Sequence, residues 1–304
     1  MKRALVISGG GSKGAFAGGV AQYLIDELHI DYDIFVGSST GSLLISHLAL
    51  GEVEKIKKIY TTVTQDSIFS SCPFVIKTDK FRGKQISINH FNVLKSFLKG
   101  KKTFGESLNL RNLIRESLSM DEFKRLRATQ KDVVVTVSNL TENKVEYKSI
   151  KDFEYDEFCD WVWVSCNYVP FMSLVEKNHC DYADGGLGSI VPIEEAICRG
   201  ASVLDVIVLD TEATEMNMLP AKNVFSLLTN VNFFMTERIS KQNIRIGKLV
   251  ASKRKKTINF YYTPIDLTMN SLIFDQSKMC QWWEMGLNYA RNKSTIQNDI
   301  RSNK

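Results

Sequence analysis

Arg3-Ala4-Leu5-Val6-Ile7-Ser8 is a short apolar run that stops at three consecutive glycines. From residue 14 to 28 a helical stripe of Phe16, Val20, Leu24 and Leu28 takes over. A strand that feeds a helix through so short a glycine loop constrains the chain to an α/β arrangement with buried parallel strands. The pattern repeats. Asp33-Ile34-Phe35-Val36 runs into Gly37-Ser38-Ser39-Thr40-Gly41, and an apolar helical segment follows over 41–48. A third glycine motif, Asp184-Gly185-Gly186, closes the strand-like segment 180–183. Together the three suggest an anion-binding loop, a serine on a sharp turn, and a carboxylate to activate it.

In Gly9-Gly10-Gly11-Ser12-Lys13-Gly14, free backbone N–H groups beside a helix N-terminus suit a bound anion. The spacing also fits a dinucleotide fingerprint. That fingerprint needs an acidic residue ending the second strand, and this second run ends in Gly37-Ser38-Ser39 instead. A P-loop fits poorly, because Lys13 precedes Gly14 rather than following it. A glycine turn with no ligand is the plainer alternative.

Ser39 falls at the strand-to-helix turn where a nucleophile elbow requires it. Such a turn strains the serine and leaves no room for side chains two residues either side, a need that Gly37 and Gly41 meet. Its hydroxyl then lies beside a helix N-terminus, which favours developing negative charge. Ser38 is not flanked symmetrically by the glycines and is a structural neighbour. The competing reading is a Ser/Thr/Gly loop that caps a helix.

A serine needs a base. The chain holds His29, His47, His90 and His179, and none follows Asp184. A triad would have to use His179 with an earlier acid such as Asp152 or Asp160, yet His179 lies in a polar turn leading into a strand. Asp184 remains, although Asp-Gly-Gly alone usually marks a tight turn.

The three blocks in this order resemble the patatin-like phospholipase family, over roughly residues 1–200. The resemblance implies a three-layer α/β/α fold with a mainly parallel central sheet. It also implies a serine–aspartate dyad, Ser39 and Asp184, that cleaves fatty-acyl esters of phospholipids or related lipids through an acyl-enzyme. The N–H groups of Gly10, Gly11 and Thr40 would hold the oxyanion. Gly9, Gly14, Gly37, Gly41, Gly185 and Gly186 are the motif glycines, and Lys13 is a candidate contact for a substrate anion. No metal or cofactor is required. Val164-Ser165-Cys166-Asn167-Tyr168-Val169-Pro170-Phe171 matches a further family block loosely, with bulkier residues that bear on pocket width. A soluble esterase, thioesterase or acyltransferase with the same dyad is the alternative. An interaction protein with incidental activity is another.

Composition narrows the setting. Hydrophobic content is 44%. The apolar stretch after Lys2-Arg3 is too short for a signal peptide, and no run suggests a transmembrane helix. The six scattered cysteines form no C-x-x-C and read as reduced thiols. These features point to a cytoplasmic protein, with peripheral membrane contact as an option. The net charge of +5 is uneven. Residues 77–131 hold 14 lysines and arginines against Asp79, Glu106, Glu116, Asp121 and Glu122; residues 237–256 hold eight against Glu237. Such stretches are either solvated helix faces or a surface for anionic lipid. No nucleic-acid motif accompanies them.

Residues 1–200 are expected to form the catalytic domain, with 201–304 an extension packed on it. Helices are expected over 52–63, 108–118, 121–127, 156–166, 192–199, 221–249 (with an interruption) and 275–290. The last carries aromatics that pack on the body of the protein. Strands are expected over 132–137, 144–150 (antiparallel), 203–209 and 257–263. Residues 72–105 show no clear period and read as an irregular insertion. Phe69, Phe74, Phe81, Phe91 and Phe97 in and near it suit either a lipid-facing lip or a local core.

Overall fold

A computed structural model describes residues 1–79, 83–213, 220–268 and 270–302. The strands are β1 (Arg3–Ile7), β2 (Ile34–Ser38), β3 (Phe74–Asp79), β4 (Gly83–Ile88), β5 (Asp132–Asn139), β6 (Lys144–Ser149), β7 (Val175–Lys177), β8 (Cys180–Asp184), β9 (Val203–Val208) and β10 (Thr257–Tyr262). The helices are α1 (Gly14–Gln22), α2 (Thr40–Leu50), α3 (Val53–Thr62), α4 (Gln65–Ile68), α5 (His90–Leu98), α6 (Leu108–Ser117), α7 (Met120–Ala128), α8 (Tyr155–Ser165), α9 (Ile193–Cys198), α10 (Val224–Lys253) and α11 (Gln276–Ser302).

Strands β10, β9, β1, β2 and β5 run parallel in that order, β6 pairs antiparallel along the far edge of β5, and β8, followed by β7, pairs antiparallel with the end of β5. The expected α/β sheet is therefore present, mainly parallel and covered on both faces. Alternation along the strands explains both cores, since successive side chains point to opposite faces. Leu5, Ile7, Phe35, Val133, Val135 and Ile207 pack on one side with α1, α2, α6, α8 and α11. Ala4, Val6, Ile34, Val36, Val134 and Val206 pack on the other with α9 and α10. β9 pairs with β1, and β10 pairs with β9 at the edge of this same sheet. Trp283 of α11 is fully buried, and its indole N–H donates to Gln22 Oε1 at 2.7 Å.

Three expectations need correction. Residues 72–105 are not irregular: β3 and β4 form an antiparallel ribbon, and α5 follows. The long helix α10 runs without interruption. Leu28 leaves the buried stripe, because α1 gives way to a π-helical turn over Tyr23–Glu27 that rotates the later positions outward. Of the five phenylalanines, Phe69 and Phe74 are core, Phe91 and Phe97 are exposed, and Phe81 lies outside the described residues. Among the described residues no helix is long and apolar enough to cross a membrane.

Candidate active site

Register on one strand brings the site together. Residues 134–136 of β5 pair with β6 and β2 at once, so those two strands take opposite edges. Residues 137–139 pair with β6 and β8 at once, which puts β8 on the edge that β2 uses. β2 ends with Ser38 opposite Thr136, and antiparallel β8 ends with Asp184 opposite Val137. Two strands thus meet end to end on β5, and the residues at their tips are neighbours. Ser39 Oγ donates to Asp184 Oδ2 at 2.6 Å.

Ser39 holds φ 51° and ψ −122°, a conformation that side chains rarely adopt. The turn is tight enough to exclude neighbours. A Cβ at Gly37 would come within 2.5 Å of the Gly41 carbonyl carbon, and one at Gly41 within 2.3 Å of Ile7 O. The flanking glycines are steric requirements of the turn. Ser39 N–H donates to Ser165 Oγ at 3.0 Å, and Ser165 Oγ also bonds Ser42 Oγ at 2.8 Å. The Cys166 thiol donates to Ser39 O at 3.2 Å, and burial pushes its pKa up.

Asp184 is 3% exposed, and that burial pushes its carboxyl up to about 7. Hydrogen bonds from Ser39 Oγ and from Gly186 N–H, the latter to Oδ1 at 2.7 Å, pull the other way and are outweighed. None of the four histidines reaches it. His179 sits exposed in the tight turn between β7 and β8 with φ 60°, and His29 is exposed. His90 is exposed at the start of α5, and His47 bonds Ser117 O through Nε2 at 3.0 Å.

The glycine loop follows β1, and parallel pairing of β1 with β2 delivers it to the same sheet end as Ser39. Ligands of open α/β sheets bind at this carboxyl edge. Gly9 N–H donates to Ile190 O, Ser12 N–H to Ser271 O and Lys13 N–H to Gly10 O. The N–H groups of Gly10 and Gly11 donate to no acceptor among the described residues. Gly11 has φ 54°, and a Cβ there would lie 2.3 Å from Ser271 O. Gly9 and Gly14 abut the turn, the first facing Ser39 Cβ and the second Thr40 Oγ1. Gly185 presses on Thr136 O, and Gly186 caps the carboxylate. Lys13 lines the cavity. Burial lowers its pKa, against the opposing pull of Asp210 and Asp266.

Tyr60 of α3 joins the two motifs. Its hydroxyl donates to Gly11 O at 2.6 Å and bonds Thr40 Oγ1. Tyr60→Phe removes both contacts inside a buried region and is expected to cost about 1–3 kcal/mol, as groups left unpaired do. Chemical denaturation of the two proteins checks this.

A cavity of about 1510 Å³ opens onto Ser39 and Asp184. Leu43, Ile56, Ile59, Val63, Leu110, Leu113 and Ile114 make an apolar wall from α2, α3 and α6. Lys77, Lys84, Lys222 and Asn223 line a polar part. The bulky block at 164–171 contributes Cys166, Tyr168 and Phe171 to the lining. Sequence reasoning missed Tyr60 and Ser165. Tyr60 shows only as one more helical residue; Ser165 stood in a quoted block, but nothing marked it as the acceptor for Ser39 N–H. No group of three or more His, Cys, Asp or Glu among the described residues is arranged to hold a metal.

A family model described as patatin-like phospholipase matches residues 5–197. The chain is also similar to the uncharacterized protein L620 of Acanthamoeba polyphaga mimivirus, 48% identical over 58 residues, which cover 18% of this chain and 16% of that protein. Among solved structures it is similar to VipD from Legionella pneumophila, with a TM-score of 0.49 and 15% identity, covering 96% of this chain and 66% of that one. The matches leave most of the viral protein and about a third of VipD uncovered.

Proposed function

This chain belongs to the patatin-like phospholipase family, and from that premise we propose that it is a lipid acyl hydrolase with Ser39 as nucleophile and Asp184 as its base. The observation that carries the reading is the 2.6 Å bond from a strained serine to a buried carboxylate with no histidine between them. Asp184 Oδ2 takes the hydroxyl proton as Ser39 Oγ bonds to the ester carbonyl carbon. The N–H groups of Gly10 and Gly11, with that of Thr40 at the start of α2, hold the resulting oxyanion. Collapse breaks the ester C–O bond, and the leaving alkoxide takes the proton back from Asp184. Water then gives its proton to Asp184 and attacks the acyl-enzyme. Collapse returns the proton to Ser39 Oγ and releases the fatty acid.

The cavity supports a lipid substrate. An apolar wall suits an acyl chain, worth about 0.8 kcal/mol per buried methylene. Lys77, Lys222 and Asn223 in the lining suit a phosphate-bearing headgroup.

A serine-reactive fluorophosphonate, read by mass spectrometry, tests the assignment. Only ionised Asp184 accepts the proton, and burial sets its carboxyl at about 7. Labelling at Ser39 is therefore expected to rise with pH to half its maximum near 7, and to be lost in Asp184→Asn. Labelling at another serine, or an Asp184→Asn rate equal to wild type, would overturn the dyad.

A further inference from the structure

A surface helix ordinarily turns its apolar stripe to the core and its polar residues to water. Two helices here turn apolar residues to water. On α5, Phe91, Leu94 and Leu98, spaced i, i+3, i+7, are 75%, 59% and 81% exposed, with Phe97 beside them. Its inward residues are Asn92, Val93 and Ser96, and the two polar ones are bonded: Asn92 Nδ2 donates to Cys72 O at 2.9 Å, and buried Ser96 bonds Phe104 O. On the first half of α10, the outward residues are Val224, Leu227, Val231, Phe234 and Met235. Residues 224–236 carry no charged side chain. The opposite side of that segment, with Phe225, Leu228 and Phe233, lines the cavity.

The two helices belong to one rim. Ring contacts run from Phe97 to Phe104 (6.3 Å), Phe171 (6.1 Å) and Phe225 (5.9 Å), linking α5 to α10 across the cavity wall. Cations border the stripes. α5 has no carboxylate, Lys95 and Lys99 are exposed on and just after it, and Lys222 and Arg238 bracket the apolar part of α10. Of the 14 cations in 77–131, eight are ion-paired: Lys84 with Asp275, Lys101 with Glu106, Lys102 with Asp181, Arg111 and Arg115 with Asp160, Arg125 with Glu52, Arg127 with Glu154 and Lys131 with Asp31.

We propose that α5 and the first half of α10 seat the protein on a phospholipid bilayer, with their outward stripes inserted among the headgroups. The inference rests on the lipid hydrolase reading in one respect: an acyl chain leaving the bilayer enters a cavity whose rim is already in lipid. A second copy of the chain or a folded partner would cover the stripes without using that continuity, and the flanking cations match headgroup phosphates. Because apolar insertion dominates, attachment is largely insensitive to salt. This departs from the charge-driven binding that the composition suggests.

The test uses the full chain carrying Ser39→Ala, so that no hydrolysis disturbs the lipid. Co-sedimentation is measured with phosphatidylcholine vesicles, with and without phosphatidylserine, at about 0.1 and 0.5 M salt, which bracket strong screening. Phe91→Gln/Leu94→Gln/Leu98→Gln and Leu227→Gln/Val231→Gln/Phe234→Gln alter residues outside the cavity lining. Each triple variant is expected to lose about ten-fold or more in vesicle partitioning, while the parent stays bound at high salt. With Ser39 restored, both triple variants should cleave a soluble short-chain ester at the parent rate. Unchanged partitioning by variants that fold, shown by circular dichroism, would overturn the proposal. So would a parent that ignores vesicles, or a parent dimer that the substitutions split into monomers. Vesicle binding that the substitutions abolish, in a chain that hydrolyses no ester, would uphold the docking surface and remove the hydrolase reading alone.

Discussion

Replacing Ser39 with alanine is expected to lower turnover on an acyl ester by about 10⁶-fold, the scale seen when a serine protease loses a member of its catalytic unit. The fold should persist. Alanine meets the same backbone strain at φ 51° as serine does, and only the hydroxyl contact to Asp184 is lost. Asp184→Asn should fall nearly as far, since an amide cannot take the proton. His179→Ala serves as the control: this side chain sits exposed in a turn and should leave turnover unchanged. Rates with a chromogenic ester, together with near-ultraviolet circular dichroism, decide the matter. Full activity in Ser39→Ala would remove the nucleophile assignment, whereas inactivity in His179→Ala would restore a triad.

The second large effect is on stability. Burial raises Asp184 to about 7 in the folded protein, against about 3.9 in an unfolded chain. Between those values the folded state keeps a proton that the unfolded state has released. The contribution is therefore fully present below about pH 4 and is lost as pH rises through 7. About three units at 1.36 kcal/mol each amount to something on the order of 4 kcal/mol. Asp184→Asn has nothing to ionise. It is expected to be more stable than wild type at pH 8 by up to that amount, with the gap closing by pH 4. Urea midpoints across this range measure it. A pH-independent difference would mean that the carboxylate is not held away from water.

The parallel core was legible because its first two strands are apolar runs cut off by glycine, 3–8 before Gly9 and 33–36 before Gly37, and 132–137 and 203–209 are apolar runs as well. The two residues proposed as the dyad were visible for a related reason, as sharp turns at strand ends demand glycine and leave a mark in the sequence. What failed to show was whatever breaks the rule that apolar means inside. α5 places Phe91, Leu94 and Leu98 in water and holds itself to the body through Asn92 and Ser96. Its pattern therefore carried no recognisable core, and β3 and β4 form a ribbon apart from the main sheet. Tyr60 and Ser165 were hidden differently. Each sits in an ordinary helical run, and only the packing of α3 and α8 shows that they reach Gly11 and Ser39.

The meeting of β2 and β8 on a single edge of β5 makes chemical competence a report on assembly. Ser39 and Asp184 stand 145 positions apart along the polypeptide, and neither half does anything alone. A slip of β8 by two residues along β5 would carry the carboxylate roughly 7 Å away, at about 3.4 Å per residue. A slip by one would turn it to the far side of the sheet. On the proposed assignment, a ribosome-bound or misthreaded chain, with its second half unplaced, holds the serine without its base: the pair exists only in the finished sheet.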